Sequence, residues 1–260
     1  MSHQALTGFE NGVIVQVAMD EEAGPFLDKT EVAAQDFMVG EAHYYPRTLK
    51  LENSDVPLLL VRSKIGLVNA ATAFTVALEL VPNPRVVISA GTAGGLRQDI
   101  NVGDLAVGLD YTYTDADATA FGYVRGQVPG MPEKYSTSAE LLEVAREVAA
   151  DYQGEGNVFV DTMLAGGSFV TAHNVKDTRE IFSQAISTDM ETTAIAQVAS
   201  SREVPFIAIR GISDLCGPAA DQDFHMAGEI VSERSAQLST TLIARLVQSE
   251  THWLREENND

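Results

Sequence analysis

Short apolar runs alternate with helical patterns along most of this chain. The runs are rich in β-branched residues, as Val13–Ala18 and Pro205–Gly211 are, and the segments between them have helical spacing, as Asn69–Val81 has before it stops at Pro82. Alternation at this spacing is typical of a parallel or mixed sheet covered by helices. The sequence therefore predicts an α/β fold: a single-domain three-layer sandwich with a mixed central sheet flanked by helices, over residues 1–260.

The other predicted elements follow the same alternation. Strands are expected at Val56–Lys64, Arg85–Ala90 (with a break at Gly91), Leu105–Leu109 and Asn157–Leu164, and helices at Ala139–Asp151, Thr192–Ser201 and Glu229–Gln248. The stretch Thr112–Tyr135 is long, irregular and rich in aromatic residues, glycine and proline, and long loops of this kind are usually functional. We assign no role to Ala23–Leu51, and we expect the charged tail Glu250–Asp260 to fray at its end.

Charge and cysteine content exclude several classes of function. The net charge of −20 disfavours a nucleic acid or an anionic membrane as partner. No apolar stretch approaches the roughly 20 residues that cross a bilayer, and the N-terminal residues lack the pattern of a signal peptide. The single cysteine, Cys216, allows no intramolecular disulfide, and the histidines lack metal-ligand spacing. We therefore predict a cytoplasmic protein with no metal and no organic cofactor.

Acidic side chains recur where predicted strands end or helices begin. Asp214 follows the apolar run that starts at Val204. The acidic pair Asp189 and Glu191 is expected to open a helix, and Asp20–Glu22 follow the first strand. Ligands of open α/β sheets bind at the carboxyl ends of the strands. Three carboxylate clusters at such positions suggest acid–base chemistry on a small polar molecule.

Three further features lie close to these clusters in the sequence. Ala90–Gly95 predicts a glycine-rich turn, where backbone amides can approach an oxyanion or a ligand hydroxyl closely and Thr92 adds a hydroxyl. We interpret Arg210 as a partner in a structural ion pair. Cys216 is two residues from Asp214 but has no histidine nearby, so we interpret it as a bystander rather than a nucleophile.

Seven segments, in order, resemble the nucleoside phosphorylase/nucleosidase superfamily. Within that superfamily they are most similar to the 5′-methylthioadenosine/S-adenosylhomocysteine nucleosidases. The segments are Ala18–Glu22, Ser63–Gly66, Ala90–Leu96, Val102–Asp104, Asp115–Gly130, Asp189–Ala196 and Arg210–Asp214.

The resemblance implies a role for each of five residues in the reaction. Asp214 would be the general acid that protonates N7 of adenine, and Ser213 would orient it. Glu22 would be the base that activates the attacking water. Glu191 would accept hydrogen bonds from the ribose hydroxyls, and Met190 would pack on the ribose. The implied reaction is hydrolysis of 5′-methylthioadenosine and S-adenosylhomocysteine, with 5′-deoxyadenosine as a further candidate substrate.

The resemblance also implies how the base and the 5′ substituent are bound. Phe169 would stack on adenine, and the backbone of Val170 would pair with the edge of the base. Ile65 would line the pocket for the 5′ substituent, together with Phe121 and Pro129 from a neighbouring subunit. The implied assembly is therefore a homodimer whose sites are completed across the interface.

Two positions depart from the pattern of similar sequences. Thr92 stands where serine is common, which keeps the hydroxyl, and Gly167 stands where aspartate is common. A purine nucleoside phosphorylase, a futalosine-type nucleosidase and a non-catalytic nucleoside-binding protein remain alternatives. Glu22 favours water as the nucleophile, because an anionic side chain would repel phosphate.

The chemistry sets opposite requirements for the two carboxyl groups. Cleavage of an N-glycosidic bond passes through an oxocarbenium-like sugar, so the departing base needs a proton and the water needs a base. We therefore predict that burial raises the pKa of Asp214 and that Glu22 stays ionised.

Overall fold

The fold is built on one mixed sheet. Within residues 5–256, which are those that the computed structural model describes, eleven strands form this sheet. The strands are β1 (Val13–Val17), β2 (Glu31–Val32), β3 (Phe37–Val39), β4 (Ala42–Lys50), β5 (Asp55–Arg62), β6 (Val86–Gly95), β7 (Leu105–Tyr113), β8 (Tyr135–Ser136), β9 (Val158–Ala165), β10 (Ser187–Asp189) and β11 (Phe206–Asp214). The helices are α1 (Asp20–Asp28), α2 (Leu67–Leu80), α3 (Ala139–Ala150), α4 (Val175–Ile181), α5 (Thr192–Ser201) and α6 (Ala220–Glu256).

The order of the strands brings the predicted site segments together. Strands β5, β1, β6 and β11 are neighbours in that order and run parallel. Beyond them, β7 is antiparallel to β11, and β9 and β10 follow in parallel. The short β10 returns to pair antiparallel with the end of β6, with Thr188 opposite Gly94. This last pairing closes one half of the sheet and places the residues after β10 beside the ends of β6 and β11.

Helices cover both faces of the sheet, as the sequence predicted. Val13 and Val15 of β1 face a core that includes apolar residues of α1, α3 and α6. Ile14, between them, faces the core formed with α2 and α5. Side chains of a strand alternate between its two faces, so a strand buried on both faces reads as a continuous apolar run. The three-layer α/β architecture is therefore confirmed.

The predicted break at Gly91 is wrong, because β6 continues to Gly95. Gly91, Thr92 and Ala93 remain paired in register with β11, so the glycine-rich segment is strand and not a turn. Gly91 has φ +129°, a conformation that glycine adopts without steric cost. The glycines thus allow the side chains of other segments to approach the strand closely.

Other boundaries shift from their predicted positions. Helix α6 begins at Ala220 rather than Glu229, and β11 continues to Asp214. Asp189 does not open a helix but ends the unpredicted strand β10, and α5 begins at Thr192. The unassigned residues 23–51 contain the end of α1 and strands β2, β3 and β4.

Part of the tail that was expected to fray belongs to α6, which includes residues up to 256, and residues 257–260 lie outside the described part. No helix in the described part is both long and apolar enough to cross a membrane.

Gly211 lets α6 pack directly on β11. A Cβ atom at this position would lie 2.4 Å from the carbonyl oxygen of Val231. We therefore expect Gly211→Ala to lower the free energy of unfolding by about 1–3 kcal/mol, since overpacking forces the helix from the sheet. Denaturant unfolding measures this change. Gly228→Ala in α6 is the control: its Cβ meets nothing within 4 Å, so it is expected to stabilise the helix by up to about 1 kcal/mol. Equal stability of Gly211→Ala and the unmodified protein would contradict this account.

Candidate active site

One cavity of about 330 Å³ lies where the ends of the strands meet. Its walls contain predicted site residues from all along the chain: Glu22, Ile65, Thr92, Phe169, Met190, Glu191, Ser213 and Asp214. A smaller adjoining recess is lined by Val170 together with Phe169, Asp214 and Cys216. The fold therefore brings these nine predicted residues to one place.

Two predicted residues lie outside the cavity of their own chain. Phe121 and Pro129 belong to the loop between β7 and β8, and both are exposed; the side chain of Phe121 is 84% exposed. Their predicted place is the pocket of a neighbouring subunit, so that role stays a prediction.

Glu22 is fixed by four hydrogen bonds, in each of which its carboxylate accepts. Oε2 accepts from the amides of Ala18 (2.8 Å) and Met19 (3.1 Å) at the start of α1. Oε1 accepts from the amide (2.8 Å) and the hydroxyl (3.0 Å) of Thr92 in β6. Donors of this kind suit an ionised carboxylate. Glu22 is only 2% exposed, so these bonds hold it in one position on the cavity wall.

Two glycines in β6 make room for the acidic side chains. A Cβ at Gly91 would lie 2.3 Å from Oε1 of Glu22, and a Cβ at Gly94 would lie 3.1 Å from Oδ1 of Asp214 and 2.5 Å from the Cys216 sulfur. Any side chain at Gly91 would displace the Glu22 carboxylate. The glycine-rich segment therefore brings both carboxyl groups against the strand.

Asp214, at the end of β11, is buried and has a raised pKa. Burial is the main cause of the rise, as the sequence predicted. Oδ1 accepts from the amide of Cys216 (2.9 Å), and Oδ2 lies 3.0 Å from the hydroxyl of Ser213. Burial also raises the pKa of the Cys216 thiol to about 12, which keeps it neutral. Asp214 is thus a fixed carboxyl group that retains its proton more readily than an exposed aspartate.

Arg210 forms the buried ion pair that the sequence suggested. Its guanidinium lies 3.5 Å from Asp189 and 3.6 Å from Glu191, and Nη2 donates to Ser89 (2.8 Å) and Thr192 (3.1 Å). Asp189 also accepts from the amides of Glu191 and Thr192 at the start of α5. Asp189 and Arg210 therefore hold Glu191 in place, Asp189 through the backbone amide of Glu191 and Arg210 through its carboxyl group.

Glu191 is a buried carboxyl group with a raised pKa. Its Oε1 accepts from the amide of Gly66 (2.9 Å), the residue directly before α2. Burial raises the pKa of Glu191 to about 7, against the lowering effect of Arg210, and Asp189 and Glu22 add to the rise. Glu22, Glu191 and Asp214 thus line one cavity but lie in three different environments.

The sequence reasoning missed the contribution of α6. Asp221, Phe224 and His225 from its first two turns line the cavity, and the rings of Phe224 and Phe169 are 6.2 Å apart in an edge-to-face arrangement. The sequence did contain a signal that α6 begins here: Asp221 and Asp223 are acidic residues of the kind favoured in the first turn of a helix. Among the described residues, no group of three or more His, Cys, Asp or Glu side chains is arranged to hold a metal ion.

Comparisons with known proteins show the family to which this chain belongs. The family model described as the phosphorylase superfamily matches residues 13–245. The 5′-methylthioadenosine/S-adenosylhomocysteine nucleosidase of Bacillus subtilis (strain 168) is 34% identical over 232 residues, which are 89% of this chain and 96% of that protein. The protein of the same name from Staphylococcus aureus (strain Newman) is 34% identical over 230 residues, 88% of this chain and 97% of its own.

Solved structures give the same result. The nucleosidase of this name from Neisseria meningitidis, in complex with methylthio-immucillin-A, superimposes with a TM-score of 0.82 at 30% identity, over 90% of this chain and 99% of that chain. The S-adenosylhomocysteine nucleosidase of Streptococcus pyogenes, in complex with 5-methylthiotubericidin, has a TM-score of 0.82 at 29% identity, over 91% and 98% of the two chains.

The fold and the match over residues 13–245 define a member of the phosphorylase superfamily. Within it, the chain belongs to the family of 5′-methylthioadenosine/S-adenosylhomocysteine nucleosidases.

The raised pKa of Glu191 predicts how stability depends on pH. Between its usual pKa of 4.5 and its folded value of about 7, the folded chain holds a proton that the unfolded chain releases. Stability therefore falls as pH rises through this window. Glu191→Gln, which cannot titrate, is expected to lose less stability over the same interval. Denaturant unfolding of both proteins at a series of pH values measures the difference, and parallel curves would contradict the raised pKa.

Proposed function

We propose that this chain hydrolyses the N-glycosidic bond of 5′-methylthioadenosine and S-adenosylhomocysteine, releasing adenine and the 5′-substituted ribose. The observation that carries the proposal is the pairing, in one cavity, of a buried carboxyl group that favours its proton with a buried carboxylate that only accepts hydrogen bonds. Two such groups meet the two needs of hydrolysis, a proton for the departing base and a base for the water. The names of the relatives support the same reaction.

Asp214 is the general acid in this proposal. It donates its proton to N7 of adenine, so the base leaves as a neutral molecule rather than as an anion. Ser213 and the amide of Cys216 hold the carboxyl group in one orientation, which reduces the reorganisation needed at the moment of transfer. The pKa raised by burial keeps a larger fraction of Asp214 protonated near neutral pH than an exposed aspartate would have.

Glu22 is the base in this proposal, and the hydroxyl of Thr92 occupies the position on its carboxylate that a water molecule can take. Both oxygens of Glu22 already accept two hydrogen bonds each. The bond from the Thr92 hydroxyl is the exchangeable one, because a hydroxyl can rotate while the three backbone amides cannot. A water molecule at Oε1 would take the place of that hydroxyl, donate to Glu22 and attack the anomeric carbon.

The remaining cavity residues orient the nucleoside. Glu191 accepts hydrogen bonds from the ribose hydroxyls, and Met190 packs on the sugar. Phe169, which is 44% exposed, offers its ring face to the adenine, and the backbone of Val170 pairs with the edge of the base. Ile65, which also lines the cavity, contacts the 5′ substituent.

The contacts of Glu22 and Arg210 favour hydrolysis over phosphorolysis. A phosphate nucleophile needs hydrogen-bond donors and positive charge near the sugar. The amide and hydroxyl of Thr92 already donate to Glu22, and the guanidinium of Arg210 is shared between Asp189 and Glu191. An approaching phosphate would meet the anionic Glu22 instead.

The active assembly that we propose is a homodimer in the cytoplasm. Phe121 and Pro129 are exposed on a loop that can reach a second copy, where they would complete the wall around the 5′ substituent. Burial of an 84% exposed phenylalanine in such an interface is favourable because it removes apolar surface from water. The single cysteine, buried and unpaired, is compatible with a reducing compartment.

Release of adenine from 5′-methylthioadenosine, with and without phosphate, tests this function. We expect phosphate-independent release with free methylthioribose as the other product. Asp214→Asn and Glu22→Gln should each lower kcat by about 10²–10⁴-fold, because each removes one positioned acid or base. Retained adenine binding and unchanged thermal unfolding are the controls for folding. Release that requires phosphate and yields a sugar 1-phosphate would contradict the proposal, and so would full activity of either variant.

A further inference from the structure

The base-binding loop, residues 166–170, carries Phe169 and Val170 and is attached to the fold at its first two residues. The amide of Gly166 donates to the carbonyl of Asp189 (3.1 Å). The amide of Gly167 donates to Oδ2 of Asp115 (2.9 Å), which lies just beyond the end of β7. Within the part of the chain that the structure describes, this is the one side-chain hydrogen bond that residues 166–170 make.

The loop lies directly against the segment that holds Asp115. A Cβ at Gly166 would lie 1.9 Å from the Thr114 hydroxyl, and a Cβ at Gly167 would lie 3.4 Å from the Asp115 carboxylate. The amide of Thr114 donates to the carbonyl of Ala165 at the end of β9 (2.9 Å). The absence of a side chain at Gly166 therefore lets the loop lie against Thr114, which places the neighbouring Asp115 within reach of the Gly167 amide.

Asp115 itself does not line the cavity. The cavity and its recess are bounded by Ser168, Phe169 and Val170, which follow the attached glycines. Asp115 can affect a ligand only through the position of these residues. A loop held in its binding conformation before the ligand arrives loses less entropy on binding, which increases affinity.

We propose that Asp115 is a positioning residue for recognition of the adenine base. By accepting from the Gly167 amide, it holds the base-binding loop so that the Phe169 ring and the Val170 backbone face the base. This inference rests on the proposed function, since it takes adenine as the group bound there.

Binding of adenine to Asp115 variants tests the inference. Asp115→Ala removes the acceptor and is expected to raise the Kd for adenine, and the KM for 5′-methylthioadenosine, by about 3–10-fold, the size of one partly exposed hydrogen bond. The value of kcat should stay within about 2-fold, because the contact is the same in the ground state and in the transition state. Asp115→Asn keeps an oxygen that can accept from Gly167 and should recover most of the affinity. Calorimetry with adenine and steady-state kinetics provide these values.

A second variant separates the hydrogen bond from the loss of charge. Glu133→Ala removes another exposed carboxylate from the same loop between β7 and β8, and its Kd for adenine should equal that of the unmodified protein. Unmodified affinity in Asp115→Ala would overturn the inference, as would equal losses in Asp115→Ala and Asp115→Asn. A large fall in Tm of Asp115→Ala, with kcat and KM both affected, would also overturn it in favour of a general structural role. If the unmodified protein bound no adenine, the proposed function itself would fail, and the inference with it.

Discussion

The site depends first on the contact between the Glu22 carboxylate and the backbone of β6. This contact requires β1 and β6 to be parallel neighbours, so that the chain leaving β1 enters α1 beside Thr92. It also requires glycine at position 91, because a Cβ there would overlap the carboxylate at 2.3 Å. Four hydrogen bonds then fix the buried Glu22 side chain on the wall of the cavity.

The acidic groups of the cavity differ because their surroundings differ. Glu22 accepts hydrogen bonds from neighbouring donors, whereas burial raises the pKa of Asp214 and thereby favours its neutral form. Glu191 lies between these cases, since Arg210 opposes the effect of its burial. Pairs of carboxyl groups whose environments favour opposite protonation states are the arrangement that acid–base catalysis at neutral pH needs. In the proposed mechanism, Asp214 protonates the departing base and Glu22 takes a proton from the water within the same cavity.

Local patterns in the sequence predicted the layers and the acidic residues at the ends of strands, and the resemblance to a known family supplied the other proposed site residues. Neither could predict the long-range contacts. Strands such as Val13–Val17 are buried on both faces and read clearly as apolar runs, and the acidic residues at their ends pointed to the cavity. The break at Gly91 was wrong because glycine signals a turn locally, while here pairing with β11 continues the strand. Strand β10 has three residues and is held by partners distant in sequence. The ring contact between Phe224 and Phe169, and the hydrogen bond that the Gly167 amide donates to Asp115, likewise form only through tertiary packing.

The most direct test of the central claim, that Asp214 protonates N7 of the departing adenine, is turnover of the 5′-methylthioadenosine analogue in which carbon replaces N7. We predict that the unmodified protein binds this analogue but cleaves it at least about 10²-fold more slowly than 5′-methylthioadenosine, because the acid has no nitrogen to protonate. In Asp214→Asn, the two substrates should be cleaved at similarly low rates. Cleavage of the analogue by the unmodified protein at a rate close to that of 5′-methylthioadenosine would contradict the account.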